Sequence, residues 1–258
     1  MSWEKQAVEV KEQPKPKIEF KNLSETKEER GIKILSYGNF STGKTHFALS
    51  SPKPVYIIDT ENGASPLADK FPDAKVINIC NVDSNEVEEK DEVKNYESFV
   101  EAVNYLCSIP DNEIGTIIID TVSDIWEWIQ AYGKIKVFKI SIEDRLKAQF
   151  DWQVMNRLYR AQIRKLINKN CNVIFTARES EVYAGPSPTG RYQPKCQKLT
   201  PFWVDVVLYH ELKFVNKQLV FQAKVEKCRQ NGELIGKIIE NPTLEKIQEL
   251  LKNGINEA

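Results

Sequence analysis

The amino-acid sequence predicts an α/β protein: a central, mostly parallel β-sheet flanked by helices and extended near its end by antiparallel strands. Three observations carry that expectation. Short apolar runs, IKILSY (32–37), PVYII (54–58), KVINI (75–79), TIIID (116–120) and NVIFT (172–176), lack the polar alternation of a half-solvated strand and suit strands covered on both faces. Helical patterns lie between them; in one, Trp152, Met155, Tyr159, Ile163 and Leu166 recur at spacings of three and four, the stripe of a helix packed on a sheet. After Thr200 the runs VDVVLYHELKF (204–214), QLVFQAKVEK (218–227) and ELIGKIIE (233–240) read as strands, the last two joined across Asn231-Gly232, a pair that tolerates the positive φ of a tight hairpin.

Taken in order, residues 1–30 are charged and carry PKPK, which predicts a flexible N-terminal arm with a short ordered piece around Ile18 to Phe20, ahead of a single domain over 31–258. The stretch EVEEKDEVK (86–94) reads as a loop or the solvated end of a helix, and Arg157, Arg160 and Arg164 as a basic stripe on the outer face of the helix over 150–170. The chain closes with NPTLEKIQELLKNG, in which Asn241 is the expected cap, Pro242 the first helical residue, Leu244, Ile247 and Leu251 the buried stripe, and Gly254 the stop.

Composition narrows the class further. With 41% hydrophobic and 28% charged residues the chain can bury a core, which excludes disorder throughout. Lys+Arg 36 against Asp+Glu 37 leaves no global basic field, so nucleic acid would have to be met by a local patch. The 5 cysteines form no CxxC pair and the histidines are His46 and His210, which suits reduced thiols in a cytoplasm better than a disulfide framework or a zinc site. No run approaches the roughly 20 apolar residues of a membrane span, and the first residues lack a signal peptide's apolar core. The sequence thus predicts a soluble cytoplasmic protein, in the host's cytoplasm if the source is viral, with no membrane partner.

Between the strand IKILSY and the helical THFALS lies GNFSTGKT, a full match to G-x-x-x-x-G-K-[ST] in the strand–loop–helix context it requires. Backbone N–H groups of such a loop converge on phosphate oxygens, and the following helix adds its positive end. The expected nucleotide-binding residues are therefore Gly38, Asn39, Phe40, Ser41, Thr42, Gly43, Lys44, Thr45 and His46, with ATP and Mg²⁺ as cofactors. Lys44 is expected to reach the β and γ oxygens, and Thr45 to ligate Mg²⁺. A second metal carboxylate belongs at the end of a neighbouring apolar strand, and TIIIDTVSDIW supplies Asp120. A triphosphate also needs its attacking water oriented and partly deprotonated. In YIIDTENG, Glu61 stands just past a strand end, at the sheet edge where open α/β sheets bind ligands. Lys44, Glu61 and Asp120 are thus the expected catalytic residues.

The order of GNFSTGKT, YIIDTENG, TIIIDTVSD and VIFTARES, followed by antiparallel strands, resembles the RecA-like ATPase core, and more narrowly the compact phage-type RecA-like proteins. The resemblance covers about residues 30–240. It implies an ATPase acting on single-stranded DNA in annealing, recombination or repair, assembled as a homo-oligomeric ring or filament, with Glu61 as catalytic glutamate and Asp120 as metal carboxylate. Where RecA proteins carry a γ-phosphate-sensing Asn-Gln, this chain has Thr176 and Ala177, so Thr176 and Arg178 are the sensor candidates. ESEVYAGPSPTGRYQPKCQK occupies the place of RecA's second DNA-binding loop and reads as a mobile segment. Tyr183, Arg191, Tyr192, Lys195 and Lys198 are its expected phosphate and base contacts. The basic region Lys134 to Lys147 corresponds to the first loop. Lys227 and Arg229 fall where the family carries cations that act on a neighbour's site. The alternative is a P-loop ATPase of another class, a packaging motor, regulatory switch or small-substrate kinase, without DNA-dependent activity.

Overall fold

Strands that are apolar on both sides call for cover on both sides, and the computed structural model provides it for the runs in 33–38, 55–59, 116–120 and 172–177, whereas the run at 75–78 lies at the sheet edge and is exposed along its length. It describes residues 22, 30–80, 88–146 and 149–253. Two units are distinguished, 1–30 and 31–258; apart from residues 22 and 30 the arm, with the piece at Ile18 to Phe20, lies outside the described residues, as do Lys147 and Gly254.

In residues 31–258 the strands are β1 (Lys33–Gly38), β2 (Val55–Asp59), β3 (Lys75–Asn78), β4 (Thr116–Asp120), β5 (Asn172–Ala184), β6 (Ser187–Pro194), β7 (Val206–Val215), β8 (Gln218–Cys228) and β9 (Ile238–Glu240). They form a nine-stranded sheet in the order β3-β2-β4-β5-β1-β7-β8-β9, with β6 paired to the far half of β5. From β3 to β7 every pairing is parallel, and β8 and β9 add antiparallel to the edge. The helices are α1 (Lys44–Leu49), α2 (Glu88–Ser108), α3 (Val122–Tyr132), α4 (Gln149–Ile167), α5 (Thr200–Trp203) and α6 (Leu244–Asn253). This is the α/β fold with a mostly parallel sheet that the sequence predicts.

β4 shows why the sequence lacks polar alternation there. Ile117 and Ile119 join a core with Phe99 and Val103 of α2, Ile125 and Ile129 of α3, and Met155 and Tyr159 of α4. Ile118 faces the other way, with Phe47 of α1 and Leu244, Ile247 and Leu251 of α6. Each such side chain contributes about 1.5–3 kcal/mol on burial, so a two-faced strand has no room for polar residues. Of the α4 stripe, Met155, Tyr159, Ile163 and Leu166 are buried while Trp152 stays 41% exposed. One buried cation needs an explanation: Lys33 Nζ donates to the carbonyls of Lys169 and Cys171, in the connection between α4 and β5.

Several local expectations are resolved or corrected. Of the two readings of residues 86–94, the structure takes the helix end: Glu88 to Lys94 open α2, with 86 and 87 outside the described residues. Gly133–Phe138 form a π-helical turn after α3. VDVVLYHELKF does not join an antiparallel set alone: β7 pairs parallel with β1 and antiparallel with β8. The tight hairpin lies not at Asn231-Gly232 but at Asn216-Lys217, where φ is 51° and 69° and Val215 pairs with Gln218. Asn231 is extended, at φ −146°, and its side chain accepts from Glu233 N–H at 2.9 Å to start a 3₁₀ turn. At α6 the cap is Thr243, whose Oγ1 accepts from Lys246 N–H at 3.2 Å, rather than Asn241.

Lys217 is a left-handed residue with a Cβ, which costs about 1–2 kcal/mol relative to glycine in the same place. Lys217→Gly is therefore expected to raise stability by about 0.5–1 kcal/mol after the added unfolded-chain entropy, read as a higher urea midpoint at unchanged slope. A lower midpoint would contradict the turn assignment.

Candidate nucleotide site

Parallel register brings distant residues to one level. Asp59 pairs with Asp120 across β2 and β4, Ile119 with Phe175 across β4 and β5, and Gly38 with Arg178 across β1 and β5. The C-terminal ends of these strands open into a cleft of about 1070 Å³ lined by residues 38–47 together with Glu61, Asp120, Arg178, Phe221 and Thr243 among others.

The loop between β1 and α1 takes its shape from glycines at positions no side chain fits. Gly38 has φ +153° and a Cβ there would stand 2.2 Å from the His210 carbonyl oxygen; Gly43, at φ +85°, backs onto the Phe221 ring. Lys44 curls over the loop, its Nζ donating to the carbonyls of Gly38 at 3.0 Å and Asn39 at 2.5 Å. Burial pushes the Lys44 ammonium below its ordinary range, while Asp120 and Glu61 pull it back up. Phe40, at the tip, is 83% exposed.

Asp120 is buried, and burial raises its carboxyl above the usual range against the opposing hydrogen bonds of Thr176 and Thr45. Thr45 Oγ1 donates to Asp120 Oδ2 at 2.6 Å and Thr176 Oγ1 donates to Oδ1. A buried carboxylate beside a hydroxyl at a phosphate loop is a donor set that fits Mg²⁺, which takes one or two protein oxygens plus phosphate oxygens.

The two acids of YIIDTENG part company. Asp59 is fully buried and accepts backbone N–H bonds from Glu61 at 3.1 Å, Gly63 at 3.2 Å and Ala64 at 2.8 Å. It folds the loop. Glu61 is thereby presented to the cleft, where Arg178 Nε donates to its Oε1 at 2.8 Å. Asp124, which sequence reasoning passed over, takes Arg178 Nη2 on Oδ1 at 2.8 Å and the Thr60 hydroxyl on Oδ2 at 2.6 Å. Its signal was present in TIIIDTVSD, four residues after Asp120 and in the first turn of α3, but nothing in the sequence named its partners.

The segment over 179–198 is an antiparallel β5–β6 hairpin rather than an irregular loop. Tyr183 and Tyr192 are exposed, as are Arg191 and Lys198. Lys195 pairs with Glu127 at 2.6 Å, and Tyr192 stacks on Tyr209 with ring centroids 6.4 Å apart. Lys227 and Arg229 lie elsewhere. They stand beside the start of β7, at the sheet end opposite the phosphate loop. Lys227 Nζ donates to the carbonyls of Pro201, Phe202 and Val204, and Arg229 to Phe202 and Asp205. Both brace α5 within this chain.

His210, the β7 residue behind Gly38, is buried against Phe47, and neither ring nitrogen has a hydrogen-bond partner among the described residues. Burial pushes its pKa down from 6.5 to about 3. Below 6.5 the unfolded chain binds a proton the folded chain refuses, so stability falls as pH falls through that window. His210→Leu is expected to resist acid better than the parent between pH 6.5 and 3, the difference growing by up to about 1.4 kcal/mol per pH unit. Parallel acid-unfolding curves for the two would contradict it.

The sequence profile of the family described as AAA domain matches residues 30–233 of this chain. No curated protein matches it.

Proposed function

The chain belongs to the AAA-domain family, whose domain is a nucleotide-binding ATPase, and from that premise we propose that it hydrolyses ATP with Mg²⁺ as a RecA-like protein acting on single-stranded DNA. One observation carries the hydrolytic part. Lys44, Thr45, Glu61, Asp120 and Arg178 come from four separate stretches of sequence and meet at one cleft around a phosphate-binding loop.

Each group has a task set by its chemistry. The loop's N–H groups and Lys44 hold and neutralise the β and γ oxygens. Thr45 and Asp120 would hold Mg²⁺, which when bound offsets phosphate charge. Glu61 orients a water and takes its proton as the water oxygen bonds to the γ-phosphorus and the bond to the β-phosphate oxygen breaks, releasing ADP and phosphate. The pair of hydroxyls on Asp120 keeps that carboxylate fixed, and the three N–H bonds on Asp59 keep Glu61 in reach.

The DNA reading is supported by the β5–β6 hairpin, which exposes Tyr183 and Tyr192 with Arg191 and Lys198, aromatic faces and cations suited to bases and phosphates. It continues the strand that carries Thr176 and Arg178 out of the site. The same reading proposes a ring or filament of like subunits, the result of head-to-tail contacts. Among the described residues no helix is long and apolar enough to cross a membrane.

Glu61→Gln is expected to keep ATP binding while turnover falls about 100-fold or more, and Lys44→Ala to lose turnover. Hydrolysis unchanged in either would remove the site. Replacing Arg191 and Lys198 with Ala is expected to weaken single-strand binding and flatten its salt slope by about 0.7 for each phosphate left unneutralised, in titrations over a salt series. An unchanged slope would leave the hairpin without a role in DNA binding.

A further inference from the structure

Glu61 is occupied. Its Oε1 accepts from Arg178 Nε at 2.8 Å and from Nη2, so the oxygen that should hold a water holds a guanidinium. The two acids that share Arg178 are held differently. Asp124 is buried and tied by the Thr60 hydroxyl; the Glu61 side chain is 42% exposed and stands over the cleft. Arg178 itself is placed by its backbone, whose N–H donates to Ser123 Oγ at 2.9 Å, at the last residue where β5 still pairs with β1. It lines the same cleft as Lys44 and is close enough to disfavour the charged form of that lysine. Two cations facing one cleft repel until an anion lies between them.

We propose that Arg178 is a nucleotide-operated latch on Glu61: without a triphosphate it holds that carboxylate, and the terminal phosphate of a bound nucleoside triphosphate draws the guanidinium away, freeing Glu61 for the attacking water. The inference rests on the ATPase reading above. The exchange is favourable on general grounds. An exposed ion pair contributes little, whereas a phosphate offers an arginine parallel charge-assisted hydrogen bonds. Asp124 stays on Nη2 as the anchor about which the side chain turns. A diphosphate lacks the terminal group and leaves the latch closed. Water is therefore activated only when there is a γ-phosphate to attack.

The test is calorimetric titration of the full chain with Mg·ATP and with Mg·ADP, in the parent, Arg178→Gln, Arg178→Lys, Glu61→Gln and the double variant. Arg178→Gln is expected to lower ATP affinity about 10- to 100-fold, the scale of a lost charged hydrogen bond, and to leave ADP affinity unchanged. Arg178→Lys, which keeps the charge but not the fork, should fall between. Glu61→Gln releases Arg178 beforehand, so it should bind ATP about 2- to 5-fold tighter than the parent, with no change for ADP, the scale of an exposed pair. That gain should vanish when residue 178 is already Gln. Equal effects on ATP and ADP, or a Glu61→Gln gain that persists in the double variant, would overturn the latch and leave a structural ion pair. A parent chain that binds neither nucleotide would instead overturn the ATPase reading itself.

Discussion

The site depends on a buried carboxylate held between two hydroxyls. Asp120 ends an apolar strand, deep enough that its charge is disfavoured, and it is kept in place by Thr45 from α1 and Thr176 from β5. Those two bonds fasten the start of the phosphate-loop helix and the neighbouring strand to β4. Removing one partner of such a group leaves a desolvated acceptor, which costs more than the bond contributes. The phosphate loop, the end of β4 and the strand leading to the hairpin are therefore set relative to one another by a single side chain.

A second layer of polar contacts does for Glu61 what the threonines do for Asp120. Thr60 N–H donates to the Asp120 carbonyl at 2.7 Å, its hydroxyl accepts from Thr121 N–H at 2.9 Å and donates to Asp124. Asp59 gathers three backbone N–H groups of the turn that follows. The loop carrying Glu61 is thus stitched to the ends of β2 and β4, while Glu61 itself stays half exposed. Ser123 extends the stitching outward: it accepts from Arg178 N–H and donates to the Lys195 carbonyl, joining α3 to both strands of the hairpin base.

The hairpin and the cleft are mechanically continuous. β5 leaves the parallel sheet at Arg178, and from Glu179 onward it pairs with β6 alone. Tyr192 on β6 stacks on Tyr209 of β7 and its carbonyl accepts from Tyr37 of β1 at 3.2 Å. Any displacement of Arg178 acts at the root of an element whose other end is in solvent.

The sequence by itself determined the α/β class, because strands such as TIIID are apolar on both faces and only a covered parallel sheet accepts them. It also determined the phosphate loop, because GNFSTGKT is one continuous segment whose chemistry is local. The same locality made the α6 stripe legible at Leu244, Ile247 and Leu251. What is not local was decided by the tertiary structure. Asn231-Gly232 has the chemistry of a tight turn, yet the pairing of β7 with β8 puts the turn at Asn216-Lys217, since register depends on which strands meet. Lys227 and Arg229 read as cations acting on a neighbour's site, while within this chain they donate to the carbonyls of α5. Arg178 and Glu61 are 117 residues apart in sequence, and Asp124 lies between them in the chain. No periodicity links them, and only the parallel register of β1, β2, β4 and β5 turns three unrelated charges into one device.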